Sequence, residues 1–169
     1  MKKELYSKAL PSEFKEMAGI EYFLFEEDFI EENVRCIPMI VRFKMDAAGI
    51  KLKLAEWSKF SVTERKELAI KQCSTEETMT AFCTYLAELV EKYTGKSATK
   101  MEVDKHPAWA NKNIIPDELI EKVKEYHLTI FGEQWKSLTD LQRFALLKLC
   151  KAGHENKNFP KAMKEFHLI

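Results

Sequence analysis

Residues 37–68, IPMIVRFKMDAAGIKLKLAEWSKFSVTERKEL, lie over residues 115–146, IPDELIEKVKEYHLTIFGEQWKSLTDLQRFAL, without a gap at a constant offset of 78. Ile37-Pro38 falls on Ile115-Pro116, Lys44 on Lys122, Trp57 on Trp135, Arg65 on Arg143 and Leu68 on Leu146. Between these identities the chemistry is kept, as in Val41 with Leu119, Met45 with Val123, Ile50 with Leu128, Leu52 with Ile130 and Glu56 with Gln134. Proline, tryptophan and arginine held in one register over this length predict two copies of one supersecondary unit. The punctuation says which unit. Proline at the first helical position starts a helix, since its missing N–H is not needed there. In the first copy Ile40, Val41, Phe43, Ala47 and Ala48 then face inward, and Gly49 closes the helix. The alternation Ile50-x-Leu52-x-Leu54, matched by Leu128-x-Ile130, reads as extended. Glu56-Trp57 and Gln134-Trp135 read as a turn of helix, and Ser61-x-x-Glu64 and Thr139-x-x-Gln142 as capping boxes opening a further helix. The expected fold is all-α, a compact helical domain built from an internal duplication of a helix–turn–helix unit.

The flanking sequence supports this. Ser74-x-x-Glu77 reads as a capping box before a stripe of Met79, Phe82, Cys83, Leu86, Leu89, Val90 and Tyr93, and Gly95 ends the helix. Gly153 closes the helix carrying Leu141 to Cys150, and a short terminal helix from about Pro160 buries Met163 and Phe166. At the other end, Tyr22-Phe-Leu-Phe25 leads into Glu26-Glu-Asp28, whose carboxylates suit the first turn of a helix. That helix should stop near Cys36, because Pro38 restricts Ile37 to extended geometry. Residues 1–20 carry little pattern and are expected to form a loosely ordered arm, with 21–169 as one helical domain containing the 37–68 and 115–146 repeat.

Composition narrows the function. The chain has 169 residues, 46% of them hydrophobic, with 27 basic and 27 acidic side chains. Balanced charge without a basic stripe argues against a nucleic-acid partner. The longest apolar run, Ile37 to Val41, is too short to span a bilayer, and Met1-Lys-Lys-Glu-Leu-Tyr6 has no apolar core for a signal peptide. Cys36, Cys73, Cys83 and Cys150 are isolated, with no C-x-x-C, which reads as buried free thiols in a reducing, cytoplasmic setting.

Trp57 and Trp135, at equivalent positions, are expected to plug the core of each copy. Arg65 and Arg143, one residue past each capping box, should lie across those rings or pair with acids. His106 falls in the long irregular segment 96–114, and loops of this length are usually functional when ordered. His154 falls in Gly153-His-Glu-Asn156. A metal site needs three or four converging ligands, and His154 with Glu155 makes two, so no metal is expected. Asn156 or Asn158 would instead cap the terminal helix. There is no nucleophile motif and no glycine-rich phosphate loop, so neither enzymatic activity nor a cofactor is expected.

Taken together, Phe25-Glu-Glu-Asp-Phe29, Arg35-Cys-Ile-Pro-Met39, Val41-Arg-Phe-Lys44, Gly49-Ile-Lys-Leu52, Glu56-Trp57, His106-Pro-Ala-Trp109, Leu141-Gln-Arg-Phe-Ala-Leu146 and Gly153-His-Glu-Asn156 resemble the conserved nitrate reductase-associated protein family. The resemblance runs from about Tyr22 to Leu168. It implies an accessory protein of assimilatory nitrate reductase, which is then the expected partner, supporting that enzyme's activity or maturation. It names no catalytic residue. Polar positions in these motifs that a helix core does not need are the candidate partner contacts: Glu26, Asp28, Arg35, Arg42, Lys44, His106, His154, Glu155 and Asn156, with Trp109 as anchor. The alternative is a small enzyme or a metal- or cofactor-handling protein centred on His106 and His154.

Overall fold

The computed structural model describes residues 20–26, 36–151 and 157–169. The chain divides into two compact units, one comprising residues 1–22 and 26–103 and the other Phe23–Phe25 and 104–169. Most of the arm expected for 1–20, the acidic run Glu27-Asp28, and the Gly153 to Asn156 connection lie outside the described residues.

In the first unit, α1 (Met39–Ala48) begins one residue later than the sequence implied. Pro38 is the residue before the helix, at φ −55° and ψ 146°, and its carbonyl accepts from the N–H groups of Val41 and Arg42, each at 3.0 Å. The buried side chains are Met39, Val41 and Met45, while Ile40, Phe43, Ala47 and Ala48 are half-buried. A helix repeats every 3.6 residues, so Val41 and Met45 share one line and Phe43 and Ala47 fall to its flank. Gly49 ends the helix in the left-handed region at φ 66°, its N–H donating to the Met45 carbonyl.

β1 (Ile50–Lys51) follows at once and pairs antiparallel with β2 (Thr99–Lys100), Ile50 opposite Lys100 and Lys51 opposite Thr99. The fold is therefore mostly helical with one two-stranded sheet among the described residues, not purely α. Helices α2 (Leu54–Trp57), α3 (Val62–Ile70) and α4 (Glu76–Thr94) complete this unit. The N-cap of α4 is Thr75 and not Ser74. Thr78 decides this: its Oγ1 accepts from the Ser74 and Thr75 N–H groups, while Thr75 Oγ1 takes the Thr78 N–H. Helix α1 packs on α4, enclosing a core that includes Val41, Ile50, Trp57, Leu68, Phe82 and Leu86. Each such side chain contributes about 1.5–3 kcal/mol by leaving water.

In the second unit, α5 (Asp117–Glu125), α6 (Gly132–Ser137), α7 (Asp140–Cys150) and α8 (Phe159–Glu165) follow a 3-10 turn at Ala108–Ala110. Helix α7 packs against α5, α8 and that turn, so it is buried on several sides, through Leu141, Phe144, Ala145, Leu146, Leu147 and Leu149. Phe23 and Phe25 pack edge-on to Phe166. The Glu165 carboxylate fixes that segment by accepting from the N–H groups of Leu24 at 2.7 Å and Phe25 at 3.0 Å.

Several local contacts recur in the two matching segments. Pro116 begins α5 as Pro38 begins α1, accepting from Leu119 and Ile120 at 3.0 and 3.1 Å. Glu56 and Gln134 accept from the N–H groups of Lys53 and Phe131, three residues back. Ser61 with Glu64, and Thr139 with Gln142, form the two expected capping boxes. Trp57 and Trp135 are 1% and 0% exposed. The guanidinium of Arg65 stands 5.9 Å from the centre of the Trp57 ring, and that of Arg143 5.7 Å from Trp135.

Candidate functional site

Segment 104–114 of the second unit is built around two buried side chains that hold its backbone. Arg143, only 4% exposed, donates from Nε to the Trp109 carbonyl at 2.7 Å and from Nη1 to the Leu138 carbonyl at 2.7 Å. Its Nη2 pairs with Asp140. Trp135 Nε1 donates to the Asn111 carbonyl at 3.0 Å. Within the segment, Asp104 accepts from the His106 N–H and Asn111 from the Asn113 N–H. Pro107 supplies fixed extended geometry before the 3-10 turn. The half-buried Trp109 ring meets Phe144 edge-to-face at 6.4 Å. A loop of this length would otherwise lose much conformational entropy on ordering; here capping turns and two donors from the core fix it.

This backbone surrounds an open cleft of about 680 Å³, lined by Lys105 to Ala108, Ala110 to Ile114, Pro116, Asp140 and Arg143. Lys105, His106 and Lys112 are exposed around it, and Ile114 is 63% exposed. The cleft thus offers ammonium, imidazole and amide donors beside apolar surface. Such a set recognises carboxylates and other anionic groups.

His106 lines the cleft, and Trp109, which does not, packs against Phe144 as part of the loop's support. Glu26 has a different position from that of a surface contact. It is 3% exposed and its Oε1 accepts from the Met39 N–H at 2.7 Å, a carboxylate at the positive end of α1. Arg42 and Lys44 are half-buried on α1. Lys44 Nζ donates to the Ala69 carbonyl in the last turn of α3, where a cation is favoured. Burial pulls its ammonium down to about 8, against a small opposing influence of Cys73. Asp28, Arg35, His154, Glu155 and Asn156 lie outside the described residues. Among the described residues no three His, Cys, Asp or Glu side chains converge as a metal-holding group.

Sequence reasoning passed over Lys105 and Lys112, which flank His106-Pro-Ala-Trp109, and expected Arg143 to lie across Trp135 or pair with an acid, without its bonds to the loop backbone. The flanking lysines carry no periodic signal. Both line one cleft, with the 3-10 turn Ala108–Ala110 between them in the chain.

Among the described residues no helix is long and apolar enough to cross a membrane. Neither the curated proteins nor the solved structures contain a match to the chain. Residues 22–166, most of the chain, match the family model described as conserved nitrate reductase-associated protein, and the chain belongs to that family.

Proposed function

We propose that this protein is an accessory factor that binds assimilatory nitrate reductase in the cytoplasm and supports its activity or maturation. The observation that carries this reading, beside the family, is the 104–114 loop. It is a long irregular segment, not needed to close a helix, whose backbone is anchored by Arg143 and Trp135 while its polar side chains face solvent. Loops held out on a rigid scaffold are where recognition concentrates, and an ordered loop binds with little further entropy loss. The four free cysteines accord with a reducing compartment.

We also infer that 37–68 and 115–146 descend from one duplicated unit. What supports this is that proline caps, capping boxes, tryptophan burial and arginine stacking recur at one constant offset. The duplication accounts for the scaffold, and the 104–114 loop lies outside the repeated stretch.

The test is retention of the untagged protein by immobilised nitrate reductase, together with nitrate reductase activity in cells lacking the protein. Retention and reduced activity are expected. His106→Ala with Asn113→Ala should weaken retention while leaving the melting temperature unchanged. No retention together with normal activity in the deleted cells would overturn the reading.

A further inference from the structure

We propose that the cleft beneath the 105–116 loop takes an extended acidic segment of a partner protein, an inference that rests on the accessory reading above and gives its contact a chemistry. The argument begins with the charges. The chain as a whole carries a formal net charge of zero, so a local excess of one sign is a feature of the fold. Of the residues lining the cleft, Lys105, Lys112 and Arg143 are cationic and Asp140 alone is acidic. Asp140 is already paired to Arg143, which is 4% exposed and also donates to the Trp109 and Leu138 carbonyls. Arg143 is therefore a positioning residue and not a ligand contact. Lys105 and Lys112 have no ion pair among the described residues and keep their charge for whatever enters.

Size and surface then choose among anions. A cleft of about 680 Å³ is in the range of sites for sizeable ligands and too roomy to clasp one small ion. It is open rather than enclosed, and Pro107, Ala108, Pro116 and the largely exposed Ile114 give it an apolar side. Carboxylates with an intervening apolar side chain match this alternation of lysine and hydrocarbon. The asparagine amides of Asn111 and Asn113, also in the lining, suit an extended backbone. Exposed lysines contribute modestly each and mainly steer approach, so binding should be rapid and sensitive to salt.

The experiment uses the full chain, isotopically labelled for amide resonances, and three probes. These are a short synthetic peptide alternating glutamate and leucine, its glutamine counterpart, and inorganic phosphate. The acidic peptide is expected to shift resonances of residues 105–114, and its affinity to fall roughly tenfold in the Lys105→Glu, Lys112→Glu double variant. Both sites are exposed, so the variant should melt like the wild type. Equal binding of the glutamine peptide, equal shifts with phosphate alone, or shifts confined to other residues would each overturn the proposal. The same variant separates the two readings. If immobilised nitrate reductase retains wild type and variant alike, the acidic-segment proposal falls and the accessory reading stands. If it retains neither while the acidic peptide still occupies the cleft, the accessory reading falls and the cleft assignment stands.

Discussion

Just past the first helix of each matching segment one equivalent residue is left-handed, yet it is glycine in one and histidine in the other. Gly49 has φ 66° and His127, 78 positions on, has φ 56°. The difference lies in what presses against them. A Cβ on Gly49 would stand 2.9 Å from Val103 Cγ2 and 3.0 Å from the Met101 carbonyl oxygen, because Met101 donates its N–H to the Gly49 carbonyl at 2.9 Å just beyond β2. In the second segment, residues 128–130 pair with no strand among the described residues. His127 therefore carries only the backbone cost. The end of α5 is closed by the bonds Leu128 N–H to Val123 O and His127 N–H to Lys124 O, a two-bond cap that tolerates a side chain. Equivalent backbone, then, does not make equivalent sequence: the neighbour sets the residue.

The strongest way to break the comparison is at the tryptophans. Trp57→Ala and Trp135→Ala should each cost about 3–5 kcal/mol, a large share of the roughly 5–15 kcal/mol that holds an ordinary domain. Thermal or denaturant unfolding checks this, and near-wild-type melting of either variant would show that the two environments are unlike. Next come the left-handed residues. Gly49→Ala should cost about 1–3 kcal/mol from the positive φ alone, with displacement of Val103 in addition. His127→Gly should gain at most about 1 kcal/mol, since relief of strain is offset by a freer unfolded chain. Equal effects at both sites would remove β2 from the explanation.

Smaller effects test the charges. Burial alone would raise the Glu64 carboxyl, but hydrogen bonds from Lys92, the Ser61 N–H and Tyr93 outweigh it and hold the group at about 2. A carboxyl lowered by folding adds stability above its ordinary value of 4.5, which is lost as the pH falls toward 2. Glu64→Gln, which copies the neutral Gln142, should flatten the fall in melting temperature over that window. An unchanged slope would mean the network adds nothing. Lys44 gives a slope of the same sign in an alkaline window, although its lowered pKa costs stability below it. Between pH 8 and 10.5 the unfolded chain keeps a proton that the buried ammonium has lost, so its contribution grows as pH rises. Lys44→Gln should remove that rise. Lys122→Gln should leave it, because the hydrogen bond to Glu125 raises the Lys122 pKa and moves its titration above that window.

How far the fold was legible follows from the range of each interaction. The capping boxes at Ser61–Glu64 and Thr139–Gln142 were readable because donor and acceptor lie three residues apart. The tryptophans were readable from their register. Thr75 was missed as the cap of α4 because Ser74, Thr75, Glu77 and Thr78 offer two overlapping boxes, and the bonds of the Thr78 hydroxyl select the second. The pairing of Ile50 with Lys100 was missed for a different reason: the partner strand is two residues long and exposed, with no alternation to announce it. At the cleft, His106 and Trp109 stood out as unusual residues in a loop. Lys105, Lys112 and the role of Arg143 needed the backbone, since the bond from Arg143 to the Trp109 carbonyl spans 34 residues.

The bond from Leu24 to Glu165 spans 141 residues, and it bears on how the molecule is made as well as how it is held. Phe23–Phe25 leave the ribosome well before the rest of the second unit, yet their place in it is defined by Phe166 and Glu165, which are made much later. The entropy of closing so long a loop rises only with the logarithm of its length, so the free-energy penalty is mild. The delay is not. Until Glu165 and Phe166 have been synthesised, two phenylalanines that belong in a core stay without their partners, and the second unit cannot be completed.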